Sequence, residues 1–120
     1  MRKSITIPVL LILYSSVVRA TEEIAVEILD TCLSEQKDMQ GDPVSNVRYG
    51  LCLGYLKGVA DNFHGHNVCL PANMDTVYLT QKLRLVFLDY VKGHPEQLKL
   101  PAKLTLVPAF QQAFPCTHQN

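Results

Sequence analysis

Residues 52–71, CLGYLKGVADNFHGHNVCLP, decide how the chain is read. The first half carries apolar side chains nearly all round a helix, with Cys52, Leu56, Val59, Ala60 and Phe63 sharing one face at a 3.6-residue period. On another side Gly50, Gly54 and Gly58 recur every four residues, with Lys57 and Asp61 among them at an i,i+4 spacing. A glycine inside a helix costs about 1 kcal/mol against alanine. Three in register therefore point to close approach of another backbone, first of all a neighbouring helix of the same chain and otherwise a subunit or partner surface. The second half is a turn, His64, Gly65, His66 and Asn67, that runs into Cys69, Leu70 and Pro71. With a cysteine at each end, the stretch is a scaffold open to covalent anchoring.

Working outward, the central helix is predicted over residues 47–63, with Ser45 or Asn46 as its cap. The polar run KDMQGDPVSN before it contains the breakers Gly41 and Pro43 and reads as a loop. Upstream, a first helix is predicted from Thr21, as N-cap, to near Gln36. Early acids suit its N-terminus, and Ile24, Ile28, Leu29, Cys32 and Leu33 repeat at helical spacing. Two helices joined by such a loop pack antiparallel, which sets Cys32 opposite Cys52. Downstream, residues 73–79 are ambiguous, because Thr76, Val77 and Tyr78 suit an extended strand while Asp75 suits a helix cap. Thr80 is a second cap, leading into Leu83, Val86, Phe87, Tyr90 and Val91 of a third helix that Gly93 and Pro95 end. Residues 98–100 connect it to a fourth helix, with Pro101 in the first turn and apolar Leu104, Val107, Phe110 and Phe114. Pro108 falls inside that pattern and predicts a kink or break, at a cost of roughly 3 kcal/mol, before Pro115 stops the helix.

The four cysteines, Cys32, Cys52, Cys69 and Cys116, allow three connectivities. The helix arrangement favours Cys32 with Cys52 and Cys69 with Cys116. The fold expected is all-α, a small disulfide-stapled bundle of about four helices.

Residues 1–20 open with Arg2 and Lys3, continue through an apolar run, and end in Val18, Arg19 and Ala20. That is the pattern of a secretory signal, with a retained anchor as the alternative. The apolar run is shorter than the roughly 20 residues of a membrane span. A single domain over residues 21–120 is expected, with no membrane contact after cleavage. Those residues hold eight basic against eleven acidic side chains, a net of −3, because three basic residues lie in the signal. With no basic run, nucleic acid is not expected as a partner, and a basic protein surface is the easier match. An even cysteine count behind a secretory signal reads as disulfides formed in an oxidising compartment.

Catalytic and metal chemistry find little to stand on. No CxxC pair is present, His94 and His118 stand at no diagnostic spacing from the His64–His66 pair, and no serine sits in a nucleophile elbow. Asp61, His64 and His66 are close enough in sequence to form an acid–base site, but polar groups at a helix end and turn are common without catalysis. Neither a catalytic residue, a metal nor a cofactor is expected.

Four pieces in order then carry a resemblance: CLGYLKGVAD at 52–61, CLP at 69–71, HPE at 94–96 followed by Leu98, and AFPC at 113–116. Together they resemble the Rap1a/Tai family of small secreted immunity proteins, over nearly all of the chain after residue 20. The resemblance implies an all-helical periplasmic domain of Gram-negative bacteria, often a homodimer. It also implies a protein effector as partner, a peptidoglycan amidase delivered by type VI secretion, neutralised by occupation of its active-site cleft. The sequence departs from the family pattern at Pro108 and in a longer, more apolar segment between Pro71 and Thr80. As contact surfaces the sequence offers the strip of Gly54, Lys57, Gly58 and Asp61, the turn of His64, His66 and Asn67, and the loop of Asn73, Asp75 and Tyr78. The alternative is a non-catalytic structural or accessory envelope protein that shares the fold and has no toxin partner.

Overall fold

The computed structural model describes residues 23–34 and 43–117. Within them the chain forms α1 (Ala25–Cys32), α2 (Pro43–Phe63), α3 (Thr76–Gly93), a 3₁₀ helix (Pro95–Lys99) and α4 (Ala102–Ala113). Strand pairing among the described residues is limited to two isolated bridges, Ile24 with Pro101 and His64 with Val68. The architecture is the expected all-α bundle, and none of its described helices is long and apolar enough to cross a membrane.

The helix α2 is the centre, packing against α1, α3 and α4. Its Cys52, Leu56, Val59 and Ala60 are buried on one face, as the period predicts. They meet Ile28 and Cys32 of α1, Leu79, Leu83, Phe87, Tyr90 and Val91 of α3, and Leu106, Ala109 and Phe110 of α4 in one cluster. Full burial of a leucine or phenylalanine contributes about 1.5–3 kcal/mol, so Leu56, Leu83, Phe87, Leu106 and Phe110 dominate cohesion. Cys32 is bonded to Cys52, joining α1 to α2, and Cys69 to Cys116, joining the exit of α2 to the chain after α4. Both pairs are those that the helix arrangement favours.

Element boundaries depart from the sequence reading in ways that have local causes. The first helix begins at Ala25 with Ile24 as its N-cap, rather than at Thr21, which lies outside the described residues. Glu23 and Ile24 are held extended instead, since Ala25 N–H donates to Leu100 O at 2.9 Å and Ala102 N–H to Glu23 O at 2.8 Å. The helix ends at Cys32 rather than near Gln36, which also lies outside the described residues. Arg84 of α3 reaches that end, its Nε donating to Cys32 O at 2.8 Å while its guanidinium lies 5.3 Å from the centre of the Tyr49 ring. One side chain thus ties α1, α2 and α3 together.

Pro43, read as a breaker, is instead the first residue of α2, where its missing N–H costs nothing and its fixed φ suits the helix. The third helix starts at Thr76, four residues before the Thr80 start, because Asp75 is the cap. Its Oδ2 accepts from Val77 N–H at 3.1 Å and from Tyr78 N–H at 3.2 Å. Residues 95–99 close into the 3₁₀ helix rather than an open connector, and the buried Thr105 hydroxyl donates to Gln97 O at 2.8 Å to hold it against α4. The last helix runs through Pro108 without a break. Its core stripe is Ala102, Thr105, Leu106, Ala109 and Phe110, and Leu104 is exposed. Of the apolar positions expected to face the core, Phe110 and Phe114 are buried and Val107 packs against it, so Leu104 alone departs, and Ala102, Thr105 and Ala109 complete the face.

Candidate functional site

Three surfaces hold the contact residues that the sequence singles out. The first is the outward side of α2. Gly50, Gly54 and Gly58 are all exposed, and a Cβ built on any of them meets no neighbouring atom within 4 Å. The close intramolecular packing expected of the strip is therefore absent among the described residues. The neighbours of α2 engage its Cys52, Leu56, Val59 and Ala60 face, which leaves the glycines pointing away from the bundle. Beside the strip, Lys57 Nζ and Asp61 Oδ2 pair at 2.8 Å.

The second surface is the turn after α2. Gly65 has φ +89°, a left-handed conformation that a side chain would strain, and its N–H donates to Val68 O at 2.7 Å. Leu70 N–H donates to His64 Nδ1 at 3.0 Å, which requires that nitrogen to be free of hydrogen. His66 N–H and Val68 N–H both turn back to Phe63 O, at 3.1 and 3.5 Å. Cys69 N–H donates to Phe114 O at 2.8 Å, beside the Cys69–Cys116 bridge. These bonds fix the turn at both ends and leave the His66 and Asn67 side chains exposed.

The third surface follows within a few residues, on the same connection between α2 and α3. Asn73 is exposed, the Asp75 carboxylate is spent on the helix cap, and Val77 and Tyr78 stand exposed in the first turn of α3. An acid–base constellation of Asp61, His64 and His66 is not assembled by the observed bonds. Asp61 is paired with Lys57, and His64 Nδ1 is occupied by a backbone amide. No group of three or more histidine, cysteine, aspartate or glutamate side chains is placed to hold a metal among the described residues.

One feature of the surface has no counterpart in the sequence reading. A groove of about 440 Å³ lies between α1 and α2, lined by Glu23, Ile28, Thr31, Gly50, Leu51, Cys52, Gly54 and Tyr55. Burial, and then the nearby Glu23 carboxylate, push the Tyr55 phenol above its ordinary pKa. The register of Gly50 and Gly54 carried a signal of it, but only the placement of α1 alongside turns missing side chains into a groove.

The chain matches the model of the Rap1a immunity proteins over residues 25–116, from the first residue of α1 to the last cysteine. It belongs to the Rap1a immunity protein family. No curated protein and no solved structure matches it. The span matched includes the four described α-helices and both disulfides of this Rap1a-family chain.

Proposed function

We propose that this chain is a periplasmic immunity protein of a Gram-negative bacterium, which binds a peptidoglycan amidase effector of type VI secretion and blocks it sterically. The observation that carries the reading is the Rap1a family match over residues 25–116. An immunity protein works by binding the protein it neutralises, so a protein effector is the partner. Two disulfides suit an oxidising compartment outside the cytoplasm. Residues 1–20 have the composition of an export signal, and residues 21–120 form the exported domain in this reading.

Inhibition by occupation needs a surface that keeps its shape, since ordering a loose loop on binding would reduce affinity. The turn of His64, His66 and Asn67, tied at Leu70 and Cys69, supports that role, and the neighbouring Asn73, Asp75 and Tyr78 extend it. No step of chemistry is assigned to these residues. A homodimer belongs to the same reading and is checked by sedimentation of the purified domain.

The test is an amidase assay on isolated peptidoglycan with a type VI amidase effector from the same genome, sought first in the neighbouring gene, with and without the purified protein, paired with survival of cells exporting that amidase. Inhibition near one-to-one stoichiometry and rescue of growth are expected. Full amidase activity in the presence of excess protein, with no rescue, refutes the immunity role.

A further inference from the structure

The three glycines of α2 are unfavourable for a helix, and no packing among the described residues compensates them. Two of them, Gly50 and Gly54, line the groove between α1 and α2. Its floor is the buried Ile28 and Cys52, and one wall is Leu51, 62% exposed. Val47 and Val44 are equally open and extend that apolar wall towards the start of α2 at i−4 and i−7 from Leu51. The opposite rim is acidic. Glu23 lines the groove, and Glu27 lies one turn before the lining residue Thr31 on α1. Neither makes an ion pair among the described residues, whereas Asp30 further along α1 is paired with Arg48.

The cations of α2 leave that negative rim unmet, because Arg48 is committed to Asp30 and Lys57 to Asp61. A second copy of α2 laid on the groove would bring only the same committed cations. What the surface lacks is an apolar ridge narrow enough to rest on glycine, flanked by free positive charge. The part of α2 that lines the groove, Gly50 to Tyr55, runs about 8 Å, roughly a turn and a half of a docked helix.

We propose that this groove seats a helix of the effector, with an apolar ridge over Gly50 and Gly54 and a lysine or arginine flank against Glu23 and Glu27. The inference rests on the immunity reading and specifies the chemistry of the partner. The helix-in-groove mode supplies affinity from the apolar contact, while the charges add orientation and speed of encounter.

The decisive variant is Gly54→Leu in the otherwise intact domain. A Cβ there meets nothing, and leucine favours the helix more than glycine, so the melting temperature is expected to stay level or rise while the groove is filled. Two probes are used: the same amidase effector, and a synthetic helical peptide with leucines along one face and lysines on one flank. Against both, Gly54→Leu is expected to weaken binding by about a hundredfold or more. Glu23→Gln with Glu27→Gln is expected to weaken it by about tenfold and to flatten its salt dependence. A peptide with glutamates in place of the lysines is expected not to bind.

If the amidase binds the natural protein and Gly54→Leu equally well, the groove proposal is overturned while the immunity reading stands. If the amidase fails to bind the natural protein at all, the immunity reading falls and takes the assignment of the occupant with it. A Gly54→Leu variant that splits a dimer in sedimentation, with amidase binding unchanged, makes the groove a contact between copies and likewise overturns the proposal.

Discussion

Replacing Pro108 by alanine is expected to stabilise the protein. Proline inside a helix is about 3 kcal/mol less favourable than alanine, because it lacks an N–H and its ring crowds the carbonyl four residues before it. Here that carbonyl belongs to Leu104, and α4 runs through Pro108 unbroken, so the fold already accommodates the ring. Part of the cost is therefore already offset, and only part is recovered on substitution. Two terms oppose the gain. Alanine frees the unfolded chain, worth about 0.4–1 kcal/mol, and the half-buried ring gives up packing worth about 0.8 kcal/mol. The balance is a gain of about 1 kcal/mol, or about 5 °C in Tm for a domain of this size. Thermal melts followed by helical circular dichroism with both disulfides intact, together with urea midpoints at constant slope, measure it. A loss of 1 kcal/mol or more would instead make the ring a wedge that the core of α4 requires.

Three further outcomes follow from named contacts. Alanine at both Cys69 and Cys116 removes a bridge across 47 residues, worth about 4 kcal/mol on the chain-entropy model, against about 3 kcal/mol for the bridge across 20 residues at Cys32 and Cys52. Because Cys32 and Cys52 are buried in the core, mild reductant is expected to open Cys69–Cys116 first, as peptide mapping of trapped thiols will report. His64→Ala removes the acceptor of the Leu70 amide at a cost of about 1 kcal/mol or less. Hydrogen exchange is expected to quicken at Leu70 and not at Cys69, whose amide is bonded to Phe114 O.

The Tyr55 phenol, followed by carbon NMR of labelled tyrosine, is expected to ionise above 10.0, and Glu23→Gln lowers its pKa only partway because burial is the larger cause. Since the fold holds the neutral phenol, its contribution is complete below pH 10 and declines as pH rises through the raised pKa, where the unfolded chain releases the proton first. A Tyr55 pKa indifferent to Glu23 would separate that carboxylate from the groove.

Much of this fold was legible from local pattern. The face of α2 through Cys52, Leu56, Val59 and Ala60, the stripe of α3 through Leu83, Phe87, Tyr90 and Val91, and both cysteine pairings follow from helical period and antiparallel packing. Other positions offered residues of equal local merit, and there the pattern left the choice open or pointed the wrong way. Asp75 and Thr80 can each cap a helix, and the amides of Val77 and Tyr78 decide for Asp75. Pro43 can end a loop or begin a helix with the same φ, and it begins one. On α4 the eye follows Leu104, which is exposed, whereas the core takes the less conspicuous Ala102, Thr105 and Ala109 beside Phe110.

The contact surfaces divide in the same way. That the turn of His64, His66 and Asn67 is exposed was readable from its polarity, but the bond from Leu70 to His64 that shapes it joins residues six apart through a backbone path no periodicity reveals. By itself, the sequence determined the class of the fold, its covalent staples and its family, since these depend on period, cysteine spacing and ordered short motifs that lie along the chain. Whether the glycines of α2 face the bundle or the outside was settled by the tertiary structure alone. Their register announces close approach, but whether the approaching surface is internal depends on where α1, α3 and α4 settle. The core forms on the Cys52, Leu56, Val59 and Ala60 face while α1 lies alongside, which leaves Gly50 and Gly54 open in a groove beside Glu23 and leaves Gly58 exposed beyond it.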